Sequence, residues 1–445
     1  MASPGWLNEM LREGNQVAEA WDIGGQIRAR FESRSNAGVS PNTDFIRNAG
    51  NDNDWLLLRQ RFHVGWRPSP WLQAYVEARG SQAFSDARDP SPDEDVIDLH
   101  QAFLNISNAE QFPLTLKIGR QELVYGDQRQ IGTGDWGNMP RSFDAAVVRY
   151  HVAEKSWIDL FTSRVVIPQD DEFNVSNDYD QFSGLYASST GVLDGWETDV
   201  YFLARNVGAK SPDAIEPGVG GPSERDVHTY GTRLKSLPKA HGPWDFTFEA
   251  AGQFGEREAT AGSLDLRGYL ITYTNGYSVP GISSAPRIAF GFDYASGDSD
   301  PGDGRSETFE PLFPANHAFY GLMDLVGPRN LFSPRLSFSM KPAAKLSVAV
   351  DLLTYWLADD GDSFYPSSGG ARNANGYAAD AGYGSHLGTE IDVLMKYTVN
   401  PQADFQLGYA HFSPGEHIDN AVASVPANDG STGADWVYTQ LTLNF

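Results

Sequence analysis

The segment WVYTQLTLNF (436–445) alternates strictly between two classes of side chain. Counting back from Phe445, one set is Leu443, Leu441, Thr439 and Val437, and the intervening set is Asn444, Thr442, Gln440 and Tyr438. This period of two predicts a β-strand with one apolar and one polar face. Because chain termini normally fray, an ordered strand here is expected to be tied into a sheet. A membrane barrel whose last strand pairs with its first meets that requirement; the alternative is an edge strand of a soluble sandwich.

Similar alternation recurs along the chain. The stretch AWDIGGQIRARFES (20–33) and the stretch LLLRQRFHVGWR (56–67) each place apolar residues on one face and charged residues on the other. About 18 such segments of about ten residues can be found, a number within the range of transmembrane barrels.

The connections between these segments alternate in length. A long polar stretch at 33–53 is followed by a short link at Pro68 and Ser69, then by an acidic loop at 85–93 and a brief link at 107–111. The clearest exception is the link at 275–286, which is longer than the other short links even though its place in the alternation calls for a short one. This pattern is typical of outer-membrane barrels. The sequence therefore predicts an all-β fold, a single closed antiparallel transmembrane β-barrel of about 18 strands with short periplasmic turns and long extracellular loops.

The barrel is predicted to occupy residues 19–445. Residues 1–18 are predicted to be a periplasmic lead-in that contains a short helix. The start, MASPGWLNEML, lacks a basic segment followed by an apolar one, so we expect any signal peptide of an exported precursor to have been removed.

Composition excludes several classes of function. The net charge of −25 argues against nucleic acid as a partner, because binding it requires a basic surface. The absence of cysteine removes disulfides, thiolate metal sites and cysteine nucleophiles. No G-x-S-x-G or H-E-x-x-H motif is present, which speaks against common hydrolases.

Acidic residues crowd the long loops, whereas basic residues often lie on the polar faces of strands. In a barrel the polar face lines the lumen, where a row of cations would raise the local anion concentration. The predicted pore-lining cations are Arg28, Arg30, Arg59, Arg61, Lys117, Arg149, Arg205, Arg233, Arg267 and Arg287. The alternative is that these cations neutralise carboxylates on the same faces, since charges removed from bulk water are usually paired.

Four longer stretches carry a family resemblance. They are LKIGRQELVYGDQRQIGTGDWGNMPRSFDAAVVRY (116–150), FDYASGDSDPGDGRSETFEPLFPANHAFYGLMDLVGPRN (292–330), GTEIDVLMKYTV (388–399) and LGYAHFSPGE (407–416). With RARFE near the start, they resemble the alginate export family of outer-membrane barrels. The resemblance implies an 18-stranded barrel and, as in the family's best-known member, an arginine-rich lumen that conducts an anionic polyuronate. It also implies that Arg120 in GRQ faces the pore, followed by Arg28, Arg30 and Arg149. Phe445 is similar to the terminal residue by which barrel-assembly machinery recognises its substrates.

The expected function is passive or facilitated passage of anionic saccharides or other anions through an arginine-lined lumen. The alternatives are a general diffusion porin without anion preference, an outer-membrane enzyme, and a calcium-dependent adhesive barrel. We expect a monomer in contact with the lipid bilayer and lipopolysaccharide, with no required cofactor.

The loop sequence DSDPGDGRSE (298–307) offers Asp298, Asp300 and Asp303 as a candidate calcium site, because closely spaced carboxylates suit that ion. A solvated acidic loop is the alternative.

Overall fold

In the computed structural model of the chain, residues 5–13, 16–108, 110–169, 172–208, 224–259 and 262–445 are described. The first strands are β1 (Trp21–Ser35), β2 (Asn53–Ser69), β3 (Leu72–Phe84), β4 (Asp95–Ser107), β5 (Leu114–Gln121), β6 (Phe143–Ala153), β7 (Ser156–Ile167), β8 (Val175–Ser189), β9 (Trp196–Val207) and β10 (Arg225–Ser236). The remaining strands are β11 (Trp244–Ala259), β12 (Gly262–Leu266), β13 (Tyr269–Ser278), β14 (Arg287–Ala295), β15 (Arg305–Ser306), β16 (Leu331–Ala343), β17 (Leu346–Trp356), β18 (His386–Asn400), β19 (Ala403–Pro414) and β20 (Ala434–Asn444).

Helical structure is limited to short pieces. The α-helices in the described part of the chain are α1 (Trp6–Arg12) and α2 (Glu416–Ala423). Single 3₁₀ turns lie at Gln16–Ala20, Pro41–Thr43, Asn316–Ala318 and Ala381–Tyr383. Among the described residues, no helix has both the length and the apolar character needed to cross a membrane.

The strands form one closed antiparallel barrel. Within the described residues its wall has 18 strands, that is, every strand except the short β12 and β15. Strand β1 pairs with β2 on one side and with β20 on the other, which closes the ring. At the end of the seam the backbone N–H of Phe445 donates to the Gly25 carbonyl at 3.0 Å. The prediction of a terminal strand tied to the first strand is confirmed.

The two faces of the wall differ as the alternation predicts. On β20, Val437, Leu441 and Leu443 are about 40% exposed on the outer face, whereas Trp436 and Tyr438 are buried on the inner face. Outward apolar side chains interact favourably with lipid, and inward polar side chains meet the lumen. The register of each strand pair is therefore fixed, because a slip of one residue would exchange the two faces.

The predicted alternation of loop lengths is also present. The link between β2 and β3 is residues 70–71 and that between β6 and β7 is 154–155, whereas the opposite end carries loops 36–52, 122–142, 296–330 and 357–385. The exceptional link between β13 and β14 spans 279–286. At the short-turn end, α1 lies against the seam, where the Asn8 side chain donates to Asp22 at 2.6 Å and accepts from the Ile23 N–H at 2.7 Å.

Two of the long loops fold into the lumen and bind each other. The first inner loop consists of residues 122–142, and the second inner loop consists of residues 296–330. The Phe313 N–H donates to the Gln130 carbonyl at 2.9 Å, and the Gly132 N–H donates to the Phe313 carbonyl at 2.8 Å, as between paired strands. Phe313 is buried among the rings of Phe143 and Phe182. The two loops together narrow the passage through the barrel.

The pairing of β19 with β20 contains a glycine position that has no room for a side chain. Gly408 on β19 pairs directly with Tyr438 on β20, and a Cβ at Gly408 would collide with the Tyr438 ring. We expect Gly408→Ala to lower the free energy of unfolding by about 1–3 kcal/mol, because the ring must leave its position. A denaturant titration in detergent measures this.

The matched control is Gly370→Ala in loop 357–385, where an added Cβ meets no atom within 4 Å. We expect a change of no more than about 0.5 kcal/mol for this variant. Equal destabilisation by the two substitutions would contradict the packing described for Gly408 and Tyr438.

Candidate functional site

Most of the predicted pore-lining cations face inward. Along each strand they alternate with exposed apolar side chains of the outer face, and they lie on the same face as the buried residues. The inward set is Arg28, Arg30, Arg59, Arg61, Lys117, Arg149, Arg205, Arg233 and Arg287.

Four arginines on β1 and β2 form an arginine cluster, defined as Arg28, Arg30, Arg59 and Arg61. Arg28 and Arg59 lie directly opposite each other in the ladder. Like charges in this relation repel, so the pair requires acceptors nearby. The first inner loop supplies them.

The loop binds the cluster mainly through backbone carbonyls. Arg28 donates to the carbonyls of Asp135 at 2.8 Å and Gly137 at 2.9 Å. Arg30 donates to the Trp136 carbonyl at 2.6 Å, and its guanidinium lies 3.7 Å from the centre of the Trp136 ring.

The side chain of Asp135 is the loop's closest ionic contact with the cluster. Its Oδ1 lies 2.6 Å from Arg61 and 3.1 Å from Arg59. Burial raises the pKa of the Asp135 carboxyl, but Arg59, Arg61 and Arg28 together lower that pKa by more, so it lies below its ordinary value. Asp135 is therefore ionised at neutral pH.

The other inward arginines have carboxylate partners on the adjacent strand or, for Arg287, on β11, which lies beyond the adjacent strand β13. Arg149 binds Asp159 at 2.7 Å, Arg205 binds Asp180 at 2.5 Å, Arg233 binds Asp199 at 2.6 Å and Arg287 binds Asp245 at 2.6 Å. By contrast, Arg28 and Lys117 have no carboxylate oxygen within 4.0 Å in the part of the chain that the structure describes. Internal pairing and uncompensated charge thus coexist.

Lys117 faces the lumen beside an aromatic ring. Its Nζ lies 3.9 Å from the centre of the Phe103 ring, which itself stacks on Tyr75. A cation over an aromatic face is stabilised without losing its net charge. Lys117 therefore presents a positive charge to the passage that no carboxylate contacts among the described residues.

Arg120 does not face the lumen, and the prediction that it does is wrong. In the ladder it pairs with Ala102 and Asp144, and it shares the phase of Ile118, which is exposed on the outer face. Its guanidinium binds Asp144 at 2.9 Å and donates to the Asn174 carbonyl at 3.0 Å. The motif GRQ suggested the lumen, but the alternation Leu114, Leu116, Ile118 in the same strand already put position 120 on the apolar face.

Arg267 lies outside the strands, contrary to the prediction. It falls between β12 and β13, is 58% exposed and binds Asp265 at 2.7 Å. The physical reason is that the segment before it turns back along the end of β11 as the short strand β12 instead of continuing the barrel wall.

Some lumen residues were missed by the sequence interpretation. Asp135 was hidden in a loop whose path alternation cannot reveal. Arg335 on β16 could have been found, because it alternates with the apolar residues Leu336 and Phe338, which are exposed on the outer face. Arg335 also has no carboxylate oxygen within 4.0 Å among the described residues.

A cavity of about 730 Å³ lies at the long-loop side of the inner loops. Its basic lining residues are Arg30, Arg34, Arg79, Arg88, Arg141 and Arg372, and its acidic ones include Glu32, Asp44 and Asp93. Trp136 and His317 also line it and stack on each other at 3.8 Å. The cavity combines charge with a flat aromatic surface.

The carboxylates of the candidate calcium residues accept hydrogen bonds from backbone N–H groups of their own loop. Asp298 Oδ1 accepts from the Asp300 N–H at 3.2 Å, Asp300 Oδ1 from Gly302 at 3.2 Å, and Asp303 Oδ1 from Arg305 at 2.8 Å. Over the described ranges, no group of three or more His, Asp or Glu side chains is arranged to hold a metal ion. The calcium site stays a prediction.

Comparison with known proteins extends the fold assignment. Among solved structures, the barrel resembles OccK2 (OpdF) of Pseudomonas aeruginosa with a TM-score of 0.59 and 11% identity, covering 96% of this chain and 98% of that one. It resembles OpdK of Pseudomonas aeruginosa, solved with vanillate, with a TM-score of 0.56 and 13% identity over 95% and 98% of the two chains. OccAB4 of Acinetobacter baumannii gives a TM-score of 0.56 and 10% identity over 96% and 98%. At these identities the likeness shows the shared fold. No curated protein matches the chain.

The sequence model of the alginate export family matches residues 20–430, which is nearly the whole barrel. With the closed wall and the porin-like neighbours, this match indicates an outer-membrane channel and not an enzyme. The chain belongs to the alginate export family.

Proposed function

We propose that this channel carries anions, with anionic saccharides of the polyuronate kind as the expected solutes. The observation that supports the proposal is the arginine cluster. It brings four guanidinium groups together, whose closest carboxylates are Glu32, 2.8 Å from Arg30, and Asp135. Glu122 and Glu77 lie farther away, 3.7 and 4.0 Å from Arg61, and Arg28 has no carboxylate oxygen within 4.0 Å among the described residues.

Electrostatic attraction is the proposed mechanism. Charges inside a low-dielectric wall act over a longer range than on an open surface, so anions are enriched near the cluster. A solute must also leave, which requires several weak sites instead of one strong one. Arg30 at the cavity, Arg28 and Arg59 below it and Arg61 closer to the short-turn end provide such a series.

Saccharides are favoured among anions by the aromatic surfaces beside the charges. Trp136 contributes its ring to the cavity next to Arg30, and Tyr75 and Phe103 stack near Lys117. Flat apolar faces of sugar rings can pack on such surfaces. A general diffusion porin, which requires no such arrangement, is the competing function.

Partners follow from the outer-membrane location. We propose recognition by the barrel-assembly machinery through Phe445, whose ring lies 6.4 Å from that of Trp6 at the short-turn end. A monomer surrounded by bilayer lipid and lipopolysaccharide is the proposed state.

Anion preference is tested by the reversal potential across a KCl gradient in a planar bilayer, with polyuronate added to one side. We expect anion selectivity and block of current. Lys117→Gln should reduce the anion preference, because Lys117 has no carboxylate oxygen within 4.0 Å among the described residues. The control is the double variant Arg287→Gln with Asp245→Asn, which removes a bound pair and no net charge, and should leave the potential unchanged. Cation selectivity without block would refute the proposal, and absence of conductance would favour an adhesive barrel.

Arg120 gives a separate prediction because of its outward position. We expect Arg120→Gln to leave the reversal potential unchanged. The free energy of unfolding should fall by about 1–3 kcal/mol, since Asp144 loses its partner on the outer wall. A selectivity change as large as that of Lys117→Gln would mean that Arg120 reaches the lumen after all.

A further inference from the structure

The first inner loop places the carboxylate of Asp135 in direct contact with guanidinium groups of the lumen. Asp135 is the sole carboxylate within 4.0 Å of Arg59 among the described residues, and it is the closest one to Arg61. Glu122 and Glu77 lie 3.7 and 4.0 Å from Arg61, and Arg28 has none within that distance among the described residues. The side chain of Asp135 thus supplies the neutralising charge at this point.

The arginines are covered, while the carboxylate is not. Arg59 and Arg28 are 1% and 4% exposed, whereas the side chain of Asp135 is 57% exposed. Solvent and small solutes therefore reach the carboxylate more readily than the guanidinium groups behind it, of which Arg61 is 14% exposed.

The arginines also have unused donor groups. The Nε atoms of Arg28, Arg59 and Arg61 are buried without a hydrogen-bond partner among the described residues. Buried donors are normally satisfied, and an unsatisfied one is costly. One aspartate side chain does not use all of the hydrogen-bonding capacity that these three residues bring together.

We propose that Arg28, Arg59 and Arg61 form a carboxylate-binding site in the lumen that the chain's own Asp135 occupies, and that a solute carboxylate binds by replacing it. This inference rests on the proposed anion transport and adds the group of the solute that is recognised. In this view the Asp135 side chain, which is part of the channel, competes with the solute carboxylate for the three arginines.

The exchange requires little rearrangement. The loop stays attached through the carbonyls of Asp135, Trp136 and Gly137, which accept from Arg28, Arg30 and Arg59 independently of the Asp135 side chain. A rotation of that side chain toward solvent would free the site. One carboxylate then replaces another, so the buried arginines never lose their counter-charge. A neutral sugar cannot make this exchange.

The test compares D-glucuronate with D-glucose as blockers of single-channel current. We expect Asp135→Asn to lower the glucuronate concentration for half-block by about tenfold, because the internal competitor has lost its charge. The response to glucose should not change. Asp135→Glu keeps the charge and should remain close to the wild-type protein.

The matched control is Asp127→Asn in the same loop. The Asp127 carboxylate binds Lys235 at 2.6 Å, away from the arginine cluster, so the substitution removes the same charge from the same loop. Its half-block concentration should change less than about twofold. An equal effect of both substitutions, or weaker glucuronate block in Asp135→Asn, would overturn the inference.

A further variant covers the case in which Asp135→Asn fails to fold. Arg61→Gln leaves Asp135 paired with Arg59 and should weaken glucuronate block; unchanged block would overturn the site. The reversal potential of the wild-type protein separates the two proposals. Cation selectivity there refutes anion transport, whereas anion selectivity with identical block in all variants refutes only the competition by Asp135.

Discussion

The structure depends on one constraint, the pairing of every backbone N–H and C=O group that the wall exposes to hydrocarbon. An open sheet edge cannot satisfy this condition in lipid, so the ring must close. The seam between β1 and β20 provides the closure, and it extends from Gln26 opposite Asn444 to Ser35 opposite Asp435. Closure then fixes the rest of the wall, because each strand has one face in lipid and one in the lumen.

Once the faces are fixed, the lumen becomes the place where charge must be accommodated. Most inward arginines bind carboxylates on strands of the wall, as Arg205 does with Asp180 and Arg233 with Asp199 on the adjacent strands. At β1 and β2 the first inner loop joins strand residues such as Glu32 and Gln26 in providing the acceptors. Selectivity in such a barrel is determined by the few cations that the wall itself does not neutralise.

The wall was predictable from the sequence because its rule is local. Alternation in 20–33 and 56–67 identified the inward positions of Arg28, Arg30, Arg59 and Arg61, the count of alternating segments gave the number of strands, and the loop lengths indicated an outer-membrane barrel. The error at Arg120 arose where a family motif was preferred to the alternation of Leu114, Leu116 and Ile118. Arg267 and Asp135 were beyond this rule, because the paths of β12 and of the inner loops depend on contacts between distant residues, such as Ile131 with Phe313.

The pairing of Gln130 with Phe313 has a consequence for assembly. The two inner loops belong to hairpins from opposite halves of the chain, β5–β6 and β14–β16, and neither has its main-chain partner until the other is in place. The obstruction inside the ring therefore requires both halves of the chain to be in place. A closed ring with only one of the two loops in place would lack these main-chain hydrogen bonds, and its passage would be wider than in the complete protein.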